Sequence, residues 1–273
     1  MTPGAQDVSA SAQRIMSKAP EVTLLFWIVK ILTTGMGESV SDFLVRAINP
    51  EIAVAIGFAA FAGALTLQFK AANYNAWIYW FAVSMVAVFG TMAADVLHIG
   101  FGIPYIVSTI FFALALAVVF VLWYAVEGTL SIHSIDTTRR EAFYWLTVVT
   151  TFALGTAAGD MTASTLGLGY FTSGMLFATL IVIVAVVHFI VKGSAESEHH
   201  RQSKNAVVAF WLAYILTRPL GASFADWFGK SPLIGGLGWG DGTVSILLAV
   251  LILIFVAYLS ITRMDVDRSR HAA

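Results

Sequence analysis

The sequence predicts an all-α polytopic membrane protein with eight transmembrane helices, arranged as four parallel two-helix repeats. Three observations lead to this fold class. The chain of 273 residues is 59% hydrophobic and 11% charged, whereas a soluble globular domain carries about 25% charged residues. It contains eight apolar segments long enough to cross a bilayer, which takes about 20 residues each. A motif with tryptophan, glycine and aspartate at fixed spacing occurs four times, once in every second segment.

Composition also excludes several functional classes. The formal net charge is −1 and the chain has no cysteine, so we expect neither a basic nucleic-acid binder nor a thiolate metal site. Residues 1–21 are polar and lack the apolar core of a secretory signal, and we interpret them as a mobile cytoplasmic tail. No P-loop, G-x-S-x-G or H-E-x-x-H motif occurs. We therefore predict that the protein is not an enzyme and needs no cofactor.

Short polar or glycine-rich breaks separate the predicted spans. The spans form one membrane domain at 22–263, and a second cytoplasmic tail follows at 264–273. The domain divides into repeats at 22–70, 76–127, 142–193 and 206–263. The individual spans fall at 22–45, 52–70, 76–98, 103–127, 142–165, 170–193, 206–228 and 241–263.

The distribution of Lys and Arg predicts the orientation. With a cytoplasmic N-terminus, the tails and the loops after spans 2, 4 and 6 carry eleven basic residues, whereas the opposite loops carry only Arg46 and Lys230. This bias follows the positive-inside rule. It places both termini in the cytoplasm and the chain in a bacterial inner (plasma) membrane. The other two basic residues, Lys30 and Arg218, fall inside spans.

The first span of each repeat carries the motif [FY]-W-x9-G-x4-D. Four copies at one spacing indicate a fourfold duplication. Since each repeat has two spans, successive copies enter the membrane in the same direction. The second spans are almost purely apolar, which predicts an inner ring of motif helices and an outer ring facing lipid. The copies are FWIVKILTTGMGESVSD (26–42), YWFAVSMVAVFGTMAAD (79–95), YWLTVVTTFALGTAAGD (144–160) and FWLAYILTRPLGASFAD (210–226).

The repeated aspartates are the main candidate functional residues. Each lies roughly 22 Å beyond its tryptophan, at about 1.5 Å of rise per helical residue. Carboxylates at such a depth are costly unless they line water, pair with a cation or hold a proton, and four on one axis would form a cation site. The structural alternative is that each aspartate caps a neighbouring helix or an outer loop. The four residues are Asp42, Asp95, Asp160 and Asp226.

The position eleven residues after the tryptophan of each copy, written Trp+11, lies one turn before the aspartate and on the same face of the helix. Glu38 occupies it in the first copy, breaks the fourfold symmetry and is predicted to be a coupling carboxylate. Lys30 and Arg218 would compensate the charge of the empty site, although Lys30 could instead snorkel to the cytoplasmic surface. Arg218 precedes Pro219, which removes a helical donor, and we expect it to pair with a motif carboxylate. Trp+11 is occupied by Glu38, Thr91, Thr156 and Ala222.

The other motif positions have structural interpretations. We expect the glycines to allow close helix packing and the tryptophans to anchor the spans at the membrane interface.

A transition metal is one version of the cation prediction. Asp95 and His98 have an i,i+3 spacing, and the thioether of Met92 lies close by in the sequence. Carboxylate, imidazole and thioether ligands suit Mn²⁺ or Fe²⁺ better than Mg²⁺ or Ca²⁺. The alternative is that the methionine only packs. The candidate metal ligands are Asp42, Asp95, Asp160, Asp226, Glu38, His98 and Met92.

The segment KILTTGMGESVSD (30–42) and the later segments that end in GD and AD resemble a family of bacterial integral membrane-anchored proteins. That family is of unknown function and has tandem two-helix repeats. The resemblance covers nearly the whole span region and implies no activity.

The sequence thus predicts membrane transport of a cation by a gradient-driven secondary transporter. Five acids against two bases in the inner spans favour a divalent metal ion as the substrate. Two alternatives stay open, a cation channel with an aspartate ring and a non-transporting membrane scaffold or sensor. The expected partners are the lipid bilayer and the small cation, without nucleic acid, and self-association into a homo-oligomer also stays open.

Overall fold

The computed structural model describes residues 17–194 and 199–266. All regular structure in these two ranges is helical, and eight long helices occupy the positions of the eight predicted spans. Seven of them are long and apolar enough to cross a membrane, and the eighth is α1, which carries Lys30, Glu38 and Asp42. The fold class is therefore confirmed. The helices are α1 Leu24–Ala47, α2 Pro50–Lys70, α3 Ala76–Asp95, α4 Tyr105–Glu127, α5 Thr138–Asp160, α6 Gly169–Ser194, α7 His199–Gly229 and α8 Asp241–Thr262.

Local sequence fixes where several of these helices begin. The side chains of Thr23, Asn49, Asn75 and Thr137 each accept a hydrogen bond from a backbone N–H in the first turn of the helix that follows. Pro50 stands in the first turn of α2, where its missing N–H costs nothing. Such caps satisfy donors that have no partner inside the helix.

The four motif helices form a closed inner ring. Neighbours contact one another in the order α1, α3, α5, α7 and back to α1. Each outer helix packs on the inner helix of the next repeat, so that α2 contacts α3, α4 contacts α5, α6 contacts α7 and α8 contacts α1. In the apolar part of the outer spans 11 to 28% of the residues are buried inside the protein, against 56 to 72% in α3, α5 and α7. The predicted division into inner and outer helices is observed.

The repeated glycine lets adjacent inner helices touch. A Cβ placed on Gly37 would lie 2.4 Å from the Cβ of Ala87, and the backbone of Ala87 is nearly as close. The partner occupies position Trp+7 of the next repeat in every case, so one contact recurs four times around the closed ring. The contacts are Gly37 with Ala87, Gly90 with Phe152, Gly155 with Arg218 and Gly221 with Thr34.

Side chains along the inner helices form layers that are one helical turn apart. The layers lie at Trp−1, Trp+3, Trp+7, Trp+11 and Trp+15. Side chains four residues apart form one of the ridges by which helices pack against each other. Every residue of the first four layers is buried. We name the two ends of the ring the aromatic end (Trp−1) and the aspartate end (Trp+15). The first four layers are Phe26, Tyr79, Tyr144 and Phe210; Lys30, Val83, Val148 and Tyr214; Thr34, Ala87, Phe152 and Arg218; and Glu38, Thr91, Thr156 and Ala222.

The interpretation of the tryptophans as interfacial anchors is wrong for three of the four. Trp80, Trp145 and Trp211 are buried, and Nε1 of Trp211 donates to the carbonyl of Leu130 at 2.9 Å. These rings pack beside the aromatic layer and fill the ring at that end, so they are enclosed by protein. Only Trp27 is half-buried.

The interpretation of residues 1–21 as a mobile tail is wrong from Ser17 onwards. Nζ of Lys18 donates to Oε2 of Glu141 at 2.7 Å and to the carbonyl of Phe69 at 3.1 Å. The other Glu141 oxygen accepts from Nε2 of Gln68 at 3.0 Å. The buried Glu141 therefore holds this segment against the aromatic end. Residues 1–16 and 267–273, the rest of the predicted tails, lie outside the described residues.

The glycine contacts generate a prediction about stability. Gly37→Ala should lower the stability of the protein by about 1–3 kcal/mol, because the new methyl group overlaps the Ala87 backbone and overpacking has this cost. Gly63→Ala on α2 is the matched control, since nothing lies within 4 Å of the added Cβ. Thermal unfolding of both purified variants, followed by tryptophan fluorescence, measures the difference. Equal unfolding temperatures would contradict the assigned contact.

Candidate functional site

Arg218 is the centre of a buried hydrogen-bond network in the middle of the ring. Its Nη2 donates to Oε2 of Glu38 and to Oγ1 of Thr156, both at 2.7 Å, and also to Oγ1 of Thr91. Its Nη1 donates to the carbonyl of Thr34 at 3.1 Å. The Arg218 side chain is 0% exposed and that of Glu38 5%. Arg218 thus forms the expected buried ion pair, but its partner is Glu38 at Trp+11 and not one of the four motif aspartates.

The two threonines are oriented to accept from the guanidinium. Each hydroxyl donates its own proton to the carbonyl one turn earlier in its helix, that of Ala87 at 3.0 Å for Thr91 and that of Phe152 at 3.2 Å for Thr156. Their oxygen lone pairs are then left for Arg218. A Cβ on Gly155 would lie 2.3 Å from Cγ of Arg218. The absence of a side chain at Gly155 therefore leaves the space that the Arg218 side chain occupies.

Asp42 and Asp226 share a cation that belongs to the chain itself. Nζ of Lys230 donates to Oδ2 of Asp42 and lies 3.4 Å from Oδ1 of Asp226. Nη2 of Arg46 lies 3.2 Å from the same Asp42 oxygen, and its Nη1 pairs with Asp241. Carboxylate oxygens of Glu38, Asp42 and Asp226 all lie within 4.8 Å of one another. This end of the ring therefore holds a compact carboxylate cluster with Lys230 inside it.

Asp95 and Asp160 differ from the other two aspartates. Among the residues that the structure describes, neither forms an ion pair or a side-chain hydrogen bond. Each is followed by a π-helical turn, Val96–Gly100 and Met161–Thr165, and such turns are frequent at functional sites. Both carboxylates lie close enough to Glu38 to interact with it electrostatically. Arg218 interacts electrostatically with both, but within the described ranges neither has an ion-pair partner of its own.

A shared local sequence distinguishes the second and third repeats from the first and fourth. In both, a glycine stands seven residues after the aspartate with positive φ, Gly102 at 66° and Gly167 at 68°. A tyrosine follows at ten residues, Tyr105 and Tyr170, and begins or nearly begins the next helix. In the first and fourth repeats a base follows instead, four residues after the aspartate. The ring is therefore fourfold in its backbone, whereas the chemistry of its aspartate end divides it into two unlike halves of adjacent repeats, the fourth with the first and the second with the third.

The structure brings the four repeats together at the aspartate end. Asp226 interacts electrostatically with Asp95 and Asp160 as well as with Glu38, and Asp95 interacts with Asp160. Asp95 and Asp160 therefore belong to the same charged end of the ring as the compact group of Glu38, Asp42 and Asp226.

Lys30 is not part of this cluster. It stands twelve residues before Asp42 on α1, roughly 18 Å along a helix. Its Nζ is buried, lies 4.2 Å from the ring centroids of both Phe152 and Tyr214, and has no hydrogen-bond acceptor among the described residues. The side chain does not snorkel. The bases that pair with Asp42 and Asp226 are instead Lys230 and Arg46, which in the sequence served only to predict the orientation.

The predictions of His98 and Met92 as metal ligands are wrong. Nδ1 of His98 is bonded to the carbonyl of Ile103 at 2.8 Å, and Nε2 to Oγ of Ser108 at 3.0 Å, so both ring nitrogens are occupied. The Met92 sulfur packs against α2, where a Cβ on Gly57 would lie 2.6 Å from it. Neither side chain is available to a cation at the aspartate end.

The fold and the site define a polytopic all-α membrane protein built from four tandem helical hairpins around a charged axis. The chain belongs to the family described as Repeat of Unknown Function (DUF347), which it matches at residues 25–74, 78–129, 143–194 and 209–265. The four matches coincide with the four hairpins and confirm the resemblance to a repeat family of unknown function. No match was found among curated proteins or among solved structures.

The buried ion pair generates the second prediction. Arg218→Met should destabilise the protein by about 3–5 kcal/mol, because it leaves Glu38 buried without its partner. Adding Glu38→Gln should restore much of this loss, because the double variant has no unpaired buried charge. Arg139→Met is the control, since that side chain is 68% exposed and a surface pair is worth about 1 kcal/mol or less. Thermal unfolding of the wild type, the two single variants Arg218→Met and Glu38→Gln and the double variant gives the coupling energy, and additive losses would contradict it.

Proposed function

We propose that the protein is a gradient-driven secondary transporter of a bacterial inner membrane and that its substrate is a divalent metal ion. The observation that carries this proposal is the ammonium group of Lys230 between Asp42 and Asp226. A carboxylate cluster that already holds a cation of the chain offers oxygen ligands for a free cation. Oxygen ligands of this kind suit hard divalent ions.

The charge of the aspartate end supports a cationic substrate. Its ion pairs and electrostatic contacts join six acids to three bases, a formal excess of three negative charges if all are ionised. Buried carboxylates need a cation or protons, and a divalent ion with one proton would balance this excess. The acids are Glu38, Asp42, Asp95, Asp160, Asp226 and Asp241, and the bases are Arg46, Arg218 and Lys230.

In the proposed mechanism, Asp95 and Asp160 receive the ion and Lys230 is an internal competitor. The ion recruits the carboxylates of Asp42 and Asp226 as the Lys230 ammonium withdraws. Burial lowers the pKa of Lys230, while the charges of Glu38 and Asp241 act in the opposite direction. Loss of the Lys230 proton therefore costs less than for an exposed lysine, which helps this exchange.

The filled axis favours a carrier over the alternative of a cation channel. Between the aspartate end and the aromatic end the ring is occupied by Arg218, Phe152 and Lys30, all of them buried. Two basic side chains on the axis repel a cation, and a permanently open cation path would be lined by acids or carbonyls instead. Passage then requires a rearrangement of the ring. With the positive-inside orientation, the aspartate end faces away from the cytoplasm.

Ion-dependent thermal stabilisation tests the proposal, because a ligand that binds only the folded state raises its apparent stability. We expect Mn²⁺ or another divalent ion to raise the unfolding temperature of the wild-type protein. Asp95→Asn and Asp160→Asn should weaken the apparent affinity by at least the 10- to 100-fold found for outer-shell partners of metal ligands (about 1.4–2.7 kcal/mol). Lys230→Met should strengthen the affinity.

The matched control is Glu51→Gln, an exposed acid in the first turn of α2, which should behave like the wild type. No shift with any of a panel of divalent and monovalent ions would contradict a cation site. Equal affinity of the wild type and the Asp95→Asn and Asp160→Asn variants would place the site elsewhere.

A further inference from the structure

We propose that a row of tyrosine hydroxyls carries protons between Asp265 at the aromatic end and the amine of Lys30 inside the ring. Lys30 is then a proton-binding site of this protein. The inference deepens the proposed transport function, on which it rests for its role, because it would supply the coupling proton.

Lys30 is the buried end of this path. Its Nζ lies between the rings of Phe152 and Tyr214 and is bonded to no acceptor in the described part of the chain. Cation–π contacts offset part of the cost of an ammonium there, yet a buried ion without a hydrogen-bonded partner stays expensive. The amine can gain or lose a proton without breaking any protein hydrogen bond. Such a group suits transient protonation better than permanent charge.

The charged and titratable groups around Lys30 are few. Arg218 of α7 lies on Phe152 as well, with its Cζ 5.4 Å from the ring centroid, and it is paired with Glu38 of α1. Tyr214 of α7 contacts Lys30 directly, and the tyrosines of α3 and α5 lie beyond it. The equivalents of Lys30 in those two helices are valines, Val83 and Val148. Tyr214 is therefore the neighbour through which a proton can reach Lys30 from the aromatic end.

The tyrosines continue from Tyr214 towards the aromatic end. The hydroxyl of Tyr214 is buried and interacts with that of Tyr144, which is hydrogen-bonded to the hydroxyl of Tyr79. The ring of Tyr79 packs on that of Tyr74, with centroids 5.7 Å apart. The hydroxyl of Tyr74 donates to Oδ2 of Asp265. A hydroxyl both donates and accepts, so each one can take a proton on one side and release its own on the other.

The row has three gaps, the first of them between Lys30 and Tyr214, because the amine lies over the Tyr214 ring and is not hydrogen-bonded to its hydroxyl. The Tyr214 hydroxyl makes no hydrogen bond of ordinary geometry to the described residues, and Tyr79 and Tyr74 touch by their rings only. A proton must wait at each gap for a hydroxyl to turn or for a water molecule to enter. We therefore expect transfer that is controlled by the conformation of the ring, as coupling requires.

Asp265 is the entrance of the path. Together with Tyr74, Asn73 and Asn75 it lines a surface cavity of about 340 Å³, which is large enough for several waters. Burial raises the pKa of Asp265, and the hydrogen bond from Tyr74 acts in the opposite direction. Arg263 is the other charged residue of the cavity. A carboxyl group with a raised pKa can exchange protons with the cavity water closer to neutral pH than an ordinary aspartate.

Proton flux into liposomes that contain the full chain and a pH-sensitive dye tests the proposal. A pH difference is imposed with and without a Mn²⁺ gradient, and membrane potential is clamped with K⁺ and valinomycin. We expect Lys30→Met and Tyr144→Phe to reduce proton flux at least tenfold. Lys70→Met and Tyr124→Phe are the matched controls, as Lys70 is exposed and Tyr124 is 54% exposed, and they should match the wild type.

The outcomes separate this proposal from the transport proposal. If Lys30→Met and Tyr144→Phe both show the same proton flux as the wild type, the path is contradicted. It is also contradicted if the wild-type protein moves no protons with or without the Mn²⁺ gradient. A proton flux that does not depend on Mn²⁺ or other ions but is lost in both variants would support the path and contradict the proposed cation substrate. Lys30→Met should keep ion-dependent stabilisation, because Lys30 lies far from the aspartates. If it does not fold, Tyr144→Phe and Tyr79→Phe, which keep their rings, decide the question.

Discussion

A guanidinium group inside a helical ring must find acceptors on several sides, and the rest of this molecule is arranged around that requirement. Arg218 receives Glu38 and the Thr34 carbonyl from α1, one threonine from α3 and one from α5. All four inner helices thus meet at one side chain. Because these acceptors come from three different helices, the network ties the depth of α7 to that of α1, α3 and α5. The glycine contacts make this approach sterically feasible.

The duplicated backbone carries an unequal set of charges. At the aspartate end, the first and fourth repeats supply Arg46 and Lys230, and the second and third supply π-helical turns and unpaired carboxylates. At the aromatic end, the second and third repeats supply tyrosines where the other two have phenylalanines. In the proposed transporter, ion and proton therefore use different layers of one axis, and the Glu38–Arg218 pair separates them.

Much of the fold could be predicted from the sequence, because the same motif marks each inner helix and the outer spans are uniformly apolar. The cluster of aspartates followed from their equal depth. Met92 was assigned wrongly since neighbouring helical residues lie about 100° apart, so that Thr91 and Met92 cannot both face the axis. The sequence analysis did not predict that Lys230 pairs with the aspartates. A signal was present, because in the first and fourth copies a base stands four residues after the aspartate, a spacing at which helical side chains pair. The partner of Glu141 had no local signal, because Lys18 is distant in the chain and meets it only in the folded ring.

The two ends of the membrane domain meet at the aromatic end, where the backbone N–H of Glu21 donates to the carbonyl of Asp265 at 2.9 Å. The seam between the last hairpin and the first is packed like the other three, by the same glycine contact and by an outer helix against the next inner one. The packing of the helix backbones is therefore of one kind at all four seams. The order of the hairpins along the gene could therefore be rotated by circular permutation, with one linker joining the old ends and a break opened between two other hairpins.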